Sequence, residues 1–106
     1  MGRLVHKFGE KIFLGNADGL STVVDKLFDA QDARAIVFDM ENVKLCDSYG
    51  LKFLINYQRK ANALGKTLLL WRPDPFIKDM LGNTKLMHFF TVVDVLDNEP
   101  PPVERQ

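Results

Sequence analysis

The feature that most restricts what this chain can become is the stretch from Ala35 to Leu64. Ala35-Ile36-Val37-Phe38-Asp39-Met40 is a short, nearly continuous apolar run, the pattern of a strand covered on both faces. Beyond a loop, Leu51, Leu54, Ile55, Gln58 and Ala61 fall at helical spacing, with Gln58 the only polar member of the set. Gly65 can take the left-handed conformation that closes a helix, so the pattern predicts a helix over residues 48–64. Asp47 and Ser48 then stand at the helix start. Two side chains of N-cap type in succession answer a backbone need, because the first N–H groups of a helix have no partner within it. A hydroxyl there also lies at the positive end of the helix dipole, beside N–H groups able to hold a phosphate. Ser48 is therefore a candidate phosphate acceptor.

Around this unit the chain reads as alternating strands and helices. Arg3 to Phe8 and Lys11 to Leu14 read as two strands joined through Gly9-Glu10, an antiparallel edge hairpin from which His6 points into solvent. Asp18 is a plausible N-cap for a helix over residues 20–30, in which Leu20, Val23, Val24, Leu27 and Phe28 make a core-facing stripe. This helix and the one over residues 48–64 each lie between strands, and such crossovers give parallel neighbours. Thr67 to Trp71 is the next strand. Asp74 and Pro75 open a third helix over residues 74–81, closed by Gly82, and residues 88–93 read as a last strand. The expected fold class is α/β: a single mixed sheet of four to five strands with helices packed on it.

Composition narrows the function classes. A chain of 106 residues with 46% hydrophobic and 26% charged residues suits one globular domain, expected over residues 1–97. Three successive prolines, Pro100 to Pro102, predict an extended, flexible tail over residues 98–106. Fourteen basic and fourteen acidic side chains cancel, which removes the positive field expected of a nucleic-acid binder. No apolar run approaches the roughly 20 residues that cross a bilayer and no leader is apparent, so the reading is cytoplasmic, without membrane insertion. One cysteine and two histidines make neither an internal disulfide nor a metal set, and Cys46 reads as a small buried side chain. Glycine-rich nucleotide loops and a Gly-x-Ser-x-Gly elbow are absent from the sequence, so no cofactor and no catalysis are expected. Phe53 and Tyr57, one turn apart, either widen the buried face of their helix or form an aromatic patch beside Ser48.

The order of these motifs resembles the STAS domains, and within them the bacterial anti-sigma-factor antagonists. The family shows an apolar strand, a loop, Asp-Ser-[small]-Gly-Leu and a helix; here Ile36-Val37-Phe38-Asp39-Met40 precedes Asp47-Ser48-Tyr49-Gly50-Leu51. An early strand closing on Gly-x-x-Asp looks like Ile12 to Asp18, and Gly65, Thr67 to Trp71 and Pro73 to Leu81 follow the family order. The resemblance covers most of the chain.

It implies a partner-switching module that binds an anti-sigma factor with serine kinase activity, frees the sigma factor, and is released when that kinase phosphorylates Ser48. A phosphatase acting on Ser48 would reset it. Carried over residue by residue, Asp47 is the acidic neighbour of the acceptor, Gly50 the small residue that lets a partner approach, and Asp18 lies nearby across the strand ends. Tyr49 and the aromatic patch at Phe53 complete the expected partner surface. Tyr49 departs from the family, where a small residue is common, and a bulky side chain there favours the alternative that other STAS domains offer, a constitutive adaptor in a transport or sensory assembly. A second departure is the proline-containing end where members usually carry a final amphipathic helix, which suggests a homodimer through apolar surface around the last strand.

Overall fold

A computed structural model describes residues 2–96. In chain order the elements are β1 (Gly2–Lys7), β2 (Lys11–Ile12), α1 (Ala17–Asp29), β3 (Ala33–Asp39), β4 (Leu45–Cys46), α2 (Ser48–Leu64), β5 (Thr67–Trp71), α3 (Pro75–Asn83) and β6 (Thr91–Val93). The central apolar run becomes β3, with Ile36, Val37 and Phe38 fully enclosed as a doubly covered strand requires. The main sheet has the order β1-β3-β5-β6, and Ile36 stands opposite Leu4 on one side and Leu68 on the other. The fold class is the expected one, an α/β sheet with helices packed on it.

The sense of its strands is not. Every pairing in the four-stranded sheet is parallel, and the expected hairpin between β1 and β2 does not form. β2 instead pairs with β4 in a separate parallel ladder, Lys11 opposite Leu45 and Ile12 opposite Cys46. Phe8 gives the reason. Its ring is buried edge-on against Phe38 and Phe53, with centroids 5.0 and 6.0 Å away, and its N–H donates to the Asp39 carbonyl at 3.1 Å. Burying that ring draws the chain out of the sheet after Lys7, so Gly9-Glu10 links two ladders instead of reversing one.

Phe8, Phe28, Phe38, Phe53 and Tyr57 form one aromatic cluster where α1 and α2 meet β3. Phe53 and Tyr57 thus widen the buried face of α2. The Tyr57 hydroxyl donates to the Asp25 carboxylate at 2.7 Å, and Lys60 joins the same carboxylate at 3.2 Å, tying α1 to α2. Lys66 donates to the carbonyls of Phe28 and Ala30 at 2.8 and 2.7 Å, so a cation meets the negative end of α1.

Smaller corrections follow the same logic of local signal against packing. α1 starts at Ala17, and Asp18 lies in its first turn while Asn16 holds the cap position. Val24 and Phe28 are buried, but Val23 is 47% exposed despite its place in the stripe, because the stripe is wider than the surface that covers it. α3 runs through Gly82 to Asn83, with Asp74 as its cap. β6 is confined to Thr91–Val93, since the Phe89 N–H turns back to the Leu86 carbonyl at 3.0 Å and Phe90 enters the core. His6 is half-buried, not solvated: it stands edge-on to Phe8 at 4.5 Å, and desolvation lowers its pKa. The proline-containing segment of residues 98–106 lies outside the described residues.

Candidate functional site

The start of α2 is built around one carboxylate. Asp47 has extended backbone angles and caps the helix: its Oδ1 accepts the Gly50 N–H at 2.8 Å, and its carbonyl accepts the Leu51 N–H at 2.9 Å. Its Oδ2 accepts the Leu14 N–H at 3.2 Å, so the same side chain holds the loop after β2 against the helix. Asn16 shapes that loop from within, accepting the Phe13 N–H at 3.0 Å and donating to the Lys11 carbonyl at 2.7 Å. Asp47 is thus a structural hub as well as the acidic neighbour of Ser48. Asp47→Ala should destabilise the domain by about 1–2 kcal/mol, the usual effect of losing such a cap, with Asp47→Asn retaining part of it; urea unfolding measures both.

Ser48 is exposed, and among the described residues its hydroxyl makes no hydrogen bond. It is presented without the hydrogen-bonded base that activates the nucleophile of a serine enzyme. Among the described residues no group of His, Cys, Asp or Glu is placed to hold a metal.

Gly50 is buried, and its smallness is required inside the chain. A Cβ there would lie 2.0 Å from the Ile12 carbonyl oxygen and 2.8 Å from Cys46 Sγ, so the helix start rests directly on the backbone of β2. Cys46 is buried beneath it. Burial, reinforced by the Asp47 charge, pushes the thiol up to about 12, which leaves it protonated and unreactive at neutral pH.

Three large apolar side chains close to Ser48 along the chain or held by its neighbour Asp47 are exposed. Tyr49 is 51% exposed, Leu14 62% and Leu45 42%. Leu14 is held by the Asp47 tie, and Leu45 is turned outward by the alternation of β4, in which Cys46 points inward. That alternation was the available signal for Leu45; the exposure of Leu14 had none. Asp18 is exposed in the first turn of α1, and among the described residues no ion pair joins it to the α2 start. Phe53, 5% exposed, is locked in the aromatic cluster and presents almost no surface to a partner. Lys44 reaches the cap of α3, donating to Asp74 Oδ1 at 2.7 Å, while Asp74 Oδ2 accepts the Phe76 N–H at 3.0 Å.

A capped helix with an exposed serine at its first position is what the motif order implied, while the small parallel ladder of β2 and β4 beneath it was not expected. A family model for the STAS domain matches residues 2–99. The chain belongs to the STAS domain family. Comparison with characterised protein sequences gives no match. Among solved structures, this STAS domain is similar to a sulfate transporter family protein from Wolinella succinogenes, at 22% identity and a TM-score of 0.76 over 92% of this chain and 80% of that one. It is also similar to the anti-sigma factor antagonist SpoIIAA in its unphosphorylated form, at 13% identity and a TM-score of 0.72 over 97% of this chain and 87% of that one. The Bacillus cell fate determinant SpoIIAA in its phosphorylated form matches at 14% identity and a TM-score of 0.66, over 95% and 87% of the respective chains. At such identities the likeness establishes a shared STAS fold. No helix among the described residues of this STAS domain is long and apolar enough to cross a membrane.

Proposed function

We propose that this STAS domain is a non-catalytic binding module of the anti-sigma-factor-antagonist type, switched by phosphorylation of Ser48. The observation that carries the reading is the exposed, unengaged Ser48 hydroxyl on a capped helix start, with exposed Tyr49 next to it, exposed Leu45 three residues before it and exposed Leu14 tied to Asp47. Unmodified, this surface buries its apolar side chains against a cytoplasmic anti-sigma factor with serine kinase activity. A phosphate adds about −1.5 to −2 charges at neutral pH. Withdrawing that hydrated charge into an apolar contact costs several kcal/mol, so the partner leaves. The fold persists, because the helix dipole and the free N–H groups favour negative charge at that end. A phosphatase acting on Ser48 then resets the module.

Ser48→Ala and Ser48→Asp separate binding from folding. Both variants should unfold within about 0.5 kcal/mol of wild type, as surface substitutions do. Ser48→Asp should bind the anti-sigma factor at least about 30-fold more weakly, roughly 2 kcal/mol, while Ser48→Ala binds normally. Equal binding by Ser48→Asp supports the second reading, a constitutive adaptor. That reading is favoured by the exposed ring of Tyr49 beside the acceptor and by the likeness to the Wolinella protein.

A further inference from the structure

We propose that Lys52 is the side chain that takes up the Ser48 phosphate, an inference that rests on the reading of Ser48 as the modified residue. Ser48 is the first residue of α2 and Lys52 lies one turn further on, so the two side chains share a helix face. Both are exposed. Among the described residues Lys52 has no hydrogen bond and no ion pair. The other groups near the helix start are differently placed. Lys44 is already held by Asp74 at 2.7 Å, and both oxygens of Asp47 accept backbone N–H groups. Glu10 and Lys11 belong to the β2 side of the site, Lys11 lying over the Phe13 ring, and Asp18 belongs to α1.

Among the described residues Lys52 is thus an uncommitted cation on the face that carries the acceptor, and the one that lies a single turn from it. In the unmodified protein it is available to a partner's carboxylate. Once Ser48 carries a phosphate, the ammonium and the phosphate form a pair one turn apart within α2. The partner then loses a cation in the same step that gives it an anion to bury.

The test uses full-length protein with phosphoserine installed at position 48 during translation, so that no kinase is needed. The second ionisation of the phosphate is followed by phosphorus NMR in the wild-type background, in Lys52→Gln and in Lys85→Gln, an exposed lysine beyond α3. Lys52→Gln should raise that pKa by about 0.15–0.35 unit, the size that an i,i+4 ion pair supports. The rise should shrink in high salt. Lys85→Gln should leave the titration unchanged. An identical titration in wild type and Lys52→Gln overturns the proposal, as does an equal shift in Lys85→Gln, which would reflect net charge alone. Because the phosphate is built in, a kinase that fails to label Ser48 sinks the switch reading without touching this result.

Discussion

Gly50→Ala is expected to cost about 3 kcal/mol or more, the upper range for overpacking. The added methyl would sit 2.0 Å from a backbone oxygen of β2 and 2.8 Å from the buried Cys46 sulfur. Neither is the free end of a flexible side chain, so the first turn of α2 must lift. Lifting it strains the Asp47 bonds to Gly50 and Leu14, which fix the cap and the preceding loop. For a domain of this size, whose total stability is on the order of 5–15 kcal/mol, that is a large fraction. Gly82→Ala is the control: nothing lies within 4 Å of its Cβ position, and alanine in a helix is favoured by up to about 1 kcal/mol. Urea unfolding should show loss at Gly50 and none at Gly82; equal midpoints for the two variants would contradict the packing described.

Arg72→Ala is the second large effect. Asp39, 3% exposed at the end of β3, accepts from Arg72 Nε at 3.1 Å and Nη2 at 3.0 Å, and from the Glu41 N–H at 3.1 Å. Arg72 also pairs with Glu41 at 3.3 Å and lies 4.0 Å over the Trp71 ring. Removing it leaves a buried carboxylate without its cation. The loss should approach the lower end of the roughly 3–5 kcal/mol range for broken buried pairs, since Arg72 itself is partly exposed.

The effect should depend on pH in a defined direction. Burial alone would raise the Asp39 pKa, but the Arg72 and Glu41 hydrogen bonds outweigh it and hold the carboxyl below its usual value. A carboxyl lowered on folding stabilises above its unfolded value, near 3.9, and that stabilisation fades as the pH falls through the folded value. Without Arg72 only the Glu41 N–H bond and the Lys7 charge oppose the desolvation, and the carboxyl is easier to protonate. The difference between wild type and Arg72→Ala should therefore be largest near neutrality and shrink toward pH 4; a constant difference would mean the pair does not act as described.

What could be seen in the sequence was the local chemistry. The cap at Asp47, the left-handed stop at Gly65 and the Asp74-Pro75 start all act within a few residues, and all three stand where expected. The hairpin failed because Gly9-Glu10 carries a genuine local turn signal, while the burial of Phe8 against rings from β3 and α2 is a long-range fact. Gly50 was named only through the resemblance, as a small residue at a partner surface; its packing role could not be read locally, since the oxygen that a Cβ there would meet comes from Ile12, far back in the chain. Leu14 was invisible as a surface residue because an isolated apolar side chain reads as core by default, and the alternation that turns Leu45 outward belongs to a strand the sequence reading did not expect.

The most direct test of the switch is to follow one complex through modification. The domain is bound to the anti-sigma factor kinase proposed as its partner, ATP and magnesium are added, and phosphate incorporation and complex size are recorded together. A single phosphate should appear on Ser48 in step with dissociation, and the released domain should unfold at an unchanged midpoint. A complex that stays intact while Ser48 is phosphorylated, or that dissociates equally well when Ser48 is replaced by alanine, would contradict the switch.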